Sequence, residues 1–173
     1  MKTSRHFLSC LLALVAGASL PAAAPAAAPL RVMSYNVRYG TAPDGENAWP
    51  KRIDLFFEPI TRFQPDLIGF QEVIAAQYDT IAERLPGHGF SGVAREDGKR
   101  KGEFSSIGYR KDRFTLVAAG DFWLSETPDV PGSKSWDSAL PRLCSWVRLR
   151  EKATGRELVF ANTHFDHRGV VAR

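Results

Sequence analysis

The sequence predicts an α/β domain, on three observations. Two strand-like apolar runs alternate with two segments of helical periodicity in the first half, and a succession of strand-like segments fills the second. The chain has 173 residues, 44% of them hydrophobic and 11% aromatic. That is enough apolar material for one packed domain and excludes wholesale disorder.

The first residues stand apart. Lys2 and Arg5 precede an apolar run from Phe7 to Leu20, and small residues and prolines fill Pro21 to Pro29. This is the layout of a secretory signal peptide. The apolar run, about 14 residues, is too short for the roughly 20 that a spanning helix needs. Ala16-Gly17-Ala18 and Ala24-Pro25-Ala26 both offer small residues at cleavage spacing, so residues 1–28 are read as the leader with the cut left open. A secreted or periplasmic domain over residues 30–173 is the expectation. Removing the leader takes two of the 23 basic residues and none of the 19 acidic ones, so the net charge falls from +4 to +2. Such a balance is no strong nucleic-acid signature. Cys10 leaves with the leader and Cys144 stays alone, which excludes an internal disulfide.

Leu30 to Val37 reads as the first strand, with Leu30, Val32, Ser34 and Asn36 on one face. Ile53, Phe56, Phe57, Ile60 and Phe63 then recur at helical spacing. Pro50 sits near the first turn of that helix, Pro65 closes it, and Pro59 withholds a backbone donor and bends it. Asp66 to Val73 (DLIGFQEV) is a nearly continuous apolar run ending in Gln71 and Glu72, the pattern of a strand covered on both faces. Ile74, Tyr78, Ile81, Ala82 and Leu85 form a second amphipathic helix, stopped by Pro86-Gly87. Strands are predicted beyond it at 88–95, 103–110, 114–124, 143–151 and 157–165. With no internal repeat and no linker, one domain is expected.

In the last strand, ELVFANTHFDH, alternation places Leu158, Phe160, Asn162, His164 and Asp166 on one face. An apolar row thus turns into amide, imidazole and carboxylate. Burying such groups without partners costs on the order of 2–7 kcal/mol each, so they line a wet cleft or satisfy one another. Taken singly, this is also how any strand runs out into a polar loop. The same change occurs at Asn36 and at Gln71-Glu72, however, and polar strand ends gathered from separate parts of the chain are a common way to build a site. Asn36, Glu72, Glu103, Asn162 and His164 are expected to converge at one end of one sheet.

MSYNVR (33–38), DLIGFQEV (66–73), GEFSSIGYRKDRF (102–114) and NTHFDH (162–167) resemble, in order and spacing, motifs of the endonuclease/exonuclease/phosphatase superfamily. The segment FWLSETPDVPGSKSWDSALPR (122–142) is similar to exported bacterial members. The resemblance implies the N-terminal half of a four-layer α/β sandwich, a mixed sheet with two helices, the second half missing and the chain supplying mainly the first of two stacked sheets. It further implies hydrolysis of a phosphate ester with Mg²⁺ or Mn²⁺. Glu72 would be the principal metal ligand, and Asn36 would position Glu72, the metal or a phosphate oxygen. Glu103 would orient His164, whose protonated form would stabilise the transition state or assist the leaving group. Arg142 would contact the phosphate, with a plain surface arginine as the alternative, and Asn162 and Asp166 would act beside His164. The substrate could be a nucleic acid, a phospholipid head group, a sugar phosphate or an inositol phosphate.

The superfamily carries two further motifs, Gly-Asp-x-Asn and a terminal Ser-Asp-His, which this sequence lacks up to Arg173. Gly120-Asp121-Phe122-Trp123 is no substitute, because it lies upstream of Asn162 and has Trp where Asn is needed. The 173-residue chain is therefore expected to be weak or inactive by itself. The alternative reading is a non-catalytic phosphate-binding or interaction protein built on the same half-fold.

Overall fold

A computed structural model describes residues 29–173, and the leader expected over residues 1–28 lies outside them. Strand β1 (Val32–Asn36) runs parallel to β2 (Leu67–Gln71), with Val32 opposite Leu67 and Asn36 opposite Gln71. Parallel neighbours need a crossover, and helix α1 (Trp49–Phe63) supplies it, after a 3-10 turn at Gly45–Asn47. Pro50 occupies the first turn of α1 and Pro59 lies inside it. Gln64 ends the helix in the left-handed region, at φ 48°. Phe63, expected on the apolar stripe, is 42% exposed because the helix stops there.

Helix α2 (Ala75–Arg84) follows β2, and β3 (His88–Ser91) and β4 (Ile107–Arg110) complete a four-stranded mixed sheet in the order β1-β2-β4-β3. Met33, Tyr35, Ile68 and Phe70 pack on one face of this sheet against Phe56, Phe57, Ile60 and Ile81 of the helices. Tyr35 and Phe56 stack with ring centroids 4.9 Å apart. The predicted strand over 103–110 is shorter than expected. Residues 103–106 instead form a connecting path, on which Phe104 bridges both Val73 and Ala94.

The remaining strands, β5 (Phe114–Trp123), β6 (Leu143–Glu151) and β7 (Glu157–Thr163), form a separate antiparallel sheet. The expectation that the chain supplies mainly one sheet is thereby corrected. The physical reason is the inward row of β6 and β7: Val147, Leu149, Leu158 and Phe160 pack with Phe114 against Leu67, Ile107 and Tyr109. Alternate residues of β2 thus face either the helices or the second sheet, which accounts for the burial of all five. Asp121, rejected as part of a catalytic motif, sits within β5 and accepts the Ser145 hydroxyl at 2.5 Å. No helix among the described residues is long and apolar enough to cross a membrane.

At one end of the interface the packing turns polar. Asn162 projects from β7 into the first sheet, where its Nδ2 donates to the carbonyls of Phe70 (2.8 Å) and Ser106 (3.0 Å). Its Oδ1 accepts from Gln71 Nε2 at 2.7 Å. The fit leaves no room at Gly69, where a Cβ would lie 2.6 Å from Asn162 Oδ1. Truncating Asn162 removes three buried hydrogen bonds, although the Ser106 carbonyl keeps the Phe70 N–H and Gln71 Nε2 keeps Ser34 Oγ and the Gly69 carbonyl. Asn162→Ala is therefore expected to lower unfolding stability by about 1–3 kcal/mol. Val159→Ala, on the exposed side of the same strand, is expected to change it by about 0.5 kcal/mol or less. Urea denaturation of both variants checks the contrast, and equal small effects would remove the inter-sheet role of the amide.

Candidate active site at the strand ends

Asn36 closes β1 and Glu72 follows directly on β2, so parallel register alone sets them side by side. Asn36 Nδ2 donates to Glu72 Oε1 at 2.9 Å, and the Tyr39 backbone N–H donates to Oε2 at 3.0 Å. Asn36 Oδ1 accepts from the Arg38 N–H at 2.9 Å, which fixes the orientation of the amide. Glu72 holds φ at 61°, a left-handed conformation that is uncommon outside glycine. The strand stops there, and the carboxylate turns back toward β1.

A second cluster adjoins it. Val73, the residue after Glu72, pairs with Phe104, the residue after Glu103. Glu103 accepts Arg95 Nη1 at 2.7 Å and faces His164 Nδ1 at 3.8 Å. Arg95, Glu103, Ser105, Arg142, Leu143 and His164 line one small recess. Burial alone would raise the Glu103 carboxyl, but the facing His164 and the charges of Arg95 and Arg142 outweigh it and hold the group below the usual glutamate range.

Arg142 is buried at 4% exposure and its guanidinium is shared three ways. Nε donates to Asp166 Oδ2 at 3.4 Å, Nη1 meets His164 Nδ1 at 3.3 Å, and Nη2 meets His167 Nδ1 at 3.0 Å. A guanidinium only donates, so each contact requires a lone pair on the imidazole Nδ1. His164 Nδ1 therefore stands between a donor, Arg142, and an acceptor, Glu103, and a proton on it decides which it bonds.

The structure brings Asn36 and Glu72 together, and likewise Glu103, His164 and Arg142, with Asn162 two residues before His164. The groups come from the adjoining ends of two sheets, which corrects the expected convergence on one sheet: β7, carrying Asn162, belongs to the second. Neither Asn162 nor Asp166 stands free, as groups acting on a substrate would. Asn162 commits its amide to the inter-sheet bonds. Asp166, 1% exposed, accepts the backbone N–H groups of Ala139, Leu140, Arg168 and Gly169 as well as Arg142. Burial raises its carboxyl, and those donors override it and hold the group far below the usual aspartate range. The sequence reading missed Arg95 as the partner of Glu103; His167, paired there with Asp166, instead meets Arg142. The Glu96-Asp97-Gly98 turn was the available signal for Arg95, since such a turn folds residue 95 back on residue 103.

Among the described residues no group of three or more His, Cys, Asp or Glu side chains is placed to hold a metal ion. One carboxylate with an amide neighbour is the wrong donor set for tetrahedral zinc. It fits Mg²⁺ or Mn²⁺, which bind through one or two carboxylates and keep several waters.

The depressed Asp166 carboxyl has a signed consequence. Its contribution to stability is complete above the ordinary aspartate value, about 3.9, and is lost as pH falls through the lower folded value. The stability gap between the wild type and Asp166→Asn is therefore expected to be flat from pH 7 to pH 5 and to shrink below about pH 4. Urea midpoints measured across that range check it, and a gap that persists unchanged into strong acid would contradict it.

No protein-family profile matches the chain. Two uncharacterized proteins of Acanthamoeba polyphaga mimivirus are each 27% identical over 79% of the chain, which spans 21% of one and 54% of the other. Among solved structures, an endonuclease/exonuclease/phosphatase from Bacteroides vulgatus is 37% identical with a TM-score of 0.80, over 83% of this chain and 55% of its own. A mannosyl-6-phosphatase from Bacteroides thetaiotaomicron is 46% identical with a TM-score of 0.79, over 83% of this chain and 54% of its own. The chain thus spans about half the length of these solved structures.

Proposed function

The chain belongs to the endonuclease/exonuclease/phosphatase superfamily, and from that premise we propose that it forms part of a metal-dependent hydrolase of phosphate esters. The observation that carries the reading is the Glu72 carboxylate, held at a strained strand end by Asn36 and Tyr39 and adjoining the Glu103–His164 pair. The similarity to a mannosyl-6-phosphatase supports a sugar phosphomonoester as the first substrate to test. Export to the periplasm or beyond, through the leader read over residues 1–28, belongs to the same proposal.

In this reading Glu72, steadied by Asn36, holds Mg²⁺ or Mn²⁺, which when bound offsets the charge on the phosphoryl oxygens. Glu103, itself held by Arg95, accepts from His164 Nδ1 when that nitrogen is protonated and so orients the charged ring. With Nδ1 bonded to Arg142, the imidazole proton sits on Nε2, from which it can hydrogen-bond a phosphoryl oxygen, whereas passing a proton to the departing alkoxide takes the doubly protonated ring, which returns to neutral imidazole. Protonation at Nδ1 turns the ring toward Glu103 instead, and the doubly protonated form adds positive charge against the transition state. Arg142 acts through both histidines, and Asp166 and Asn162 act as positioning residues. Water is the nucleophile and no covalent enzyme intermediate forms. In this reading the Glu103–His164 pair serves the phosphate and the leaving group, and among the described residues no second such pair stands beside it for that water, so turnover by the 173 residues alone is expected to be slow.

The test is release of p-nitrophenol from p-nitrophenyl phosphate and from its bis-ester. Slow turnover is expected with Mg²⁺ or Mn²⁺, abolished by EDTA and reduced at least about 10²-fold in Glu72→Ala. Turnover that survives EDTA and Glu72→Ala would overturn the mechanism. Metal-dependent binding of phosphate without any turnover would favour the non-catalytic alternative.

A further inference from the structure

The loop leading into Arg142 carries one large side chain that the chemistry above does not use. Trp136 is 55% exposed, whereas Trp49 and Trp123 are buried at 8% and 5%. Its backbone sits at φ 55°, a left-handed conformation that bulky residues rarely adopt. Both flanks are pinned. Ser135 Oγ accepts the Glu126 N–H at 2.9 Å, and Asp137 accepts the N–H groups of Val170 (2.7 Å) and Ala172 (3.0 Å). Beyond Asp137 the loop donates its Ala139 and Leu140 N–H groups to Asp166 and reaches Arg142, which touches His164 and His167. The indole is thus exposed on a loop pinned on both sides, six residues before the Arg142 that contacts His164.

We propose that Trp136 is the stacking platform of a substrate subsite, taking the C–H face of a pyranose ring whose phosphate lies at Glu72 and His164. The proposal rests on the phosphate-ester reading above. A rigid aromatic face loses little conformational freedom on binding and suits a flat apolar partner. The charge around it selects the kind of ring. Over residues 125–141, Glu126, Asp129 and Asp137 stand against Lys134 alone, which is unfavourable for a polyanionic strand and indifferent to a neutral polyol.

The test titrates the 173-residue chain calorimetrically, with Mg²⁺ present, using inorganic phosphate, mannose 6-phosphate and unphosphorylated mannose, and follows tryptophan emission in parallel. Mannose 6-phosphate is expected to bind about tenfold tighter than inorganic phosphate. Trp136→Ala is expected to bring the two within about twofold while leaving inorganic phosphate unchanged, and Trp136→Phe is expected to keep most of the gap. Equal affinities in the wild type, or a gap that survives Trp136→Ala, overturns the subsite. Adenosine 5′-monophosphate gaining more from Trp136 than mannose 6-phosphate does overturns the pyranose assignment. Mannose at high concentration reads the ring contact alone, through a shift in emission absent from Trp136→Ala. If that shift is present but phosphate binding ignores Glu72→Ala and His164→Ala, the phosphate site is overturned and the ring contact upheld.

Discussion

The Asn162 side chain crosses from the second sheet to the first and bonds the Phe70 and Ser106 carbonyls at the last backbone bond between β2 and the chain leading into β4. The Ser106 carbonyl also accepts the Phe70 N–H, and Gln71 Nε2 also meets Ser34 Oγ and the Gly69 carbonyl, so the amide adds bonds to groups already partly satisfied. Each bond of the amide contributes about 0.5–1.5 kcal/mol. The amide can meet all three only at one depth and one rotation of β7 against β2. Apolar packing alone sets the sheets about 10 Å apart but tolerates sliding. The polar contact removes that freedom, and it does so one residue before Glu72 on one strand and two before His164 on the other. The relative placement of the carboxylate and the imidazole therefore depends on a bond that neither of them makes.

The same end of the molecule buries charge of both signs. Arg95 and Arg142 are both buried below 10% exposure, an arrangement that is stable only with counter-charge and hydrogen bonds in place. Glu103 answers Arg95 and Asp166 answers Arg142. Arg95 Nε is left without a partner, an exception to the rule that buried polar atoms are bonded. The two residues of the first pair are also joined through the main chain, where the Arg95 N–H donates to the Glu103 carbonyl, and the Asp166 carboxylate collects the N–H groups of two loops. The loops over 137–142 and 166–172 hold each other reciprocally, because Asp166 bonds the first and Asp137 the second.

Periodicity made the helices, the strands and the polar strand ends legible, because alternation and helical spacing record which face is buried. Leu67 to Gln71 read correctly as a strand covered on both sides for that reason. Sheet membership was not legible, because alternation says that Leu158 and Phe160 face a core but not which strands lie across it. The roles of Asp166 and Asn162 escaped for a related reason. A polar residue at a strand end looks the same in sequence whether it meets solvent or a ring of backbone donors. Arg95 is recoverable only by folding the Glu96-Asp97-Gly98 turn in space, which lays residue 95 on its near side against residue 103 on its far side.

Residue 72 shows what this arrangement asks of natural selection. Glycine or asparagine adopts φ near +60° at less cost than glutamate does, so either would relax the turn after β2 and yield a sturdier chain without the carboxylate. Thermal robustness and the anionic strand end thus pull this position in opposite directions. A library screened only for resistance to heat would drift away from glutamate there, while one screened for chemistry would retain it and accumulate its stabilising changes elsewhere.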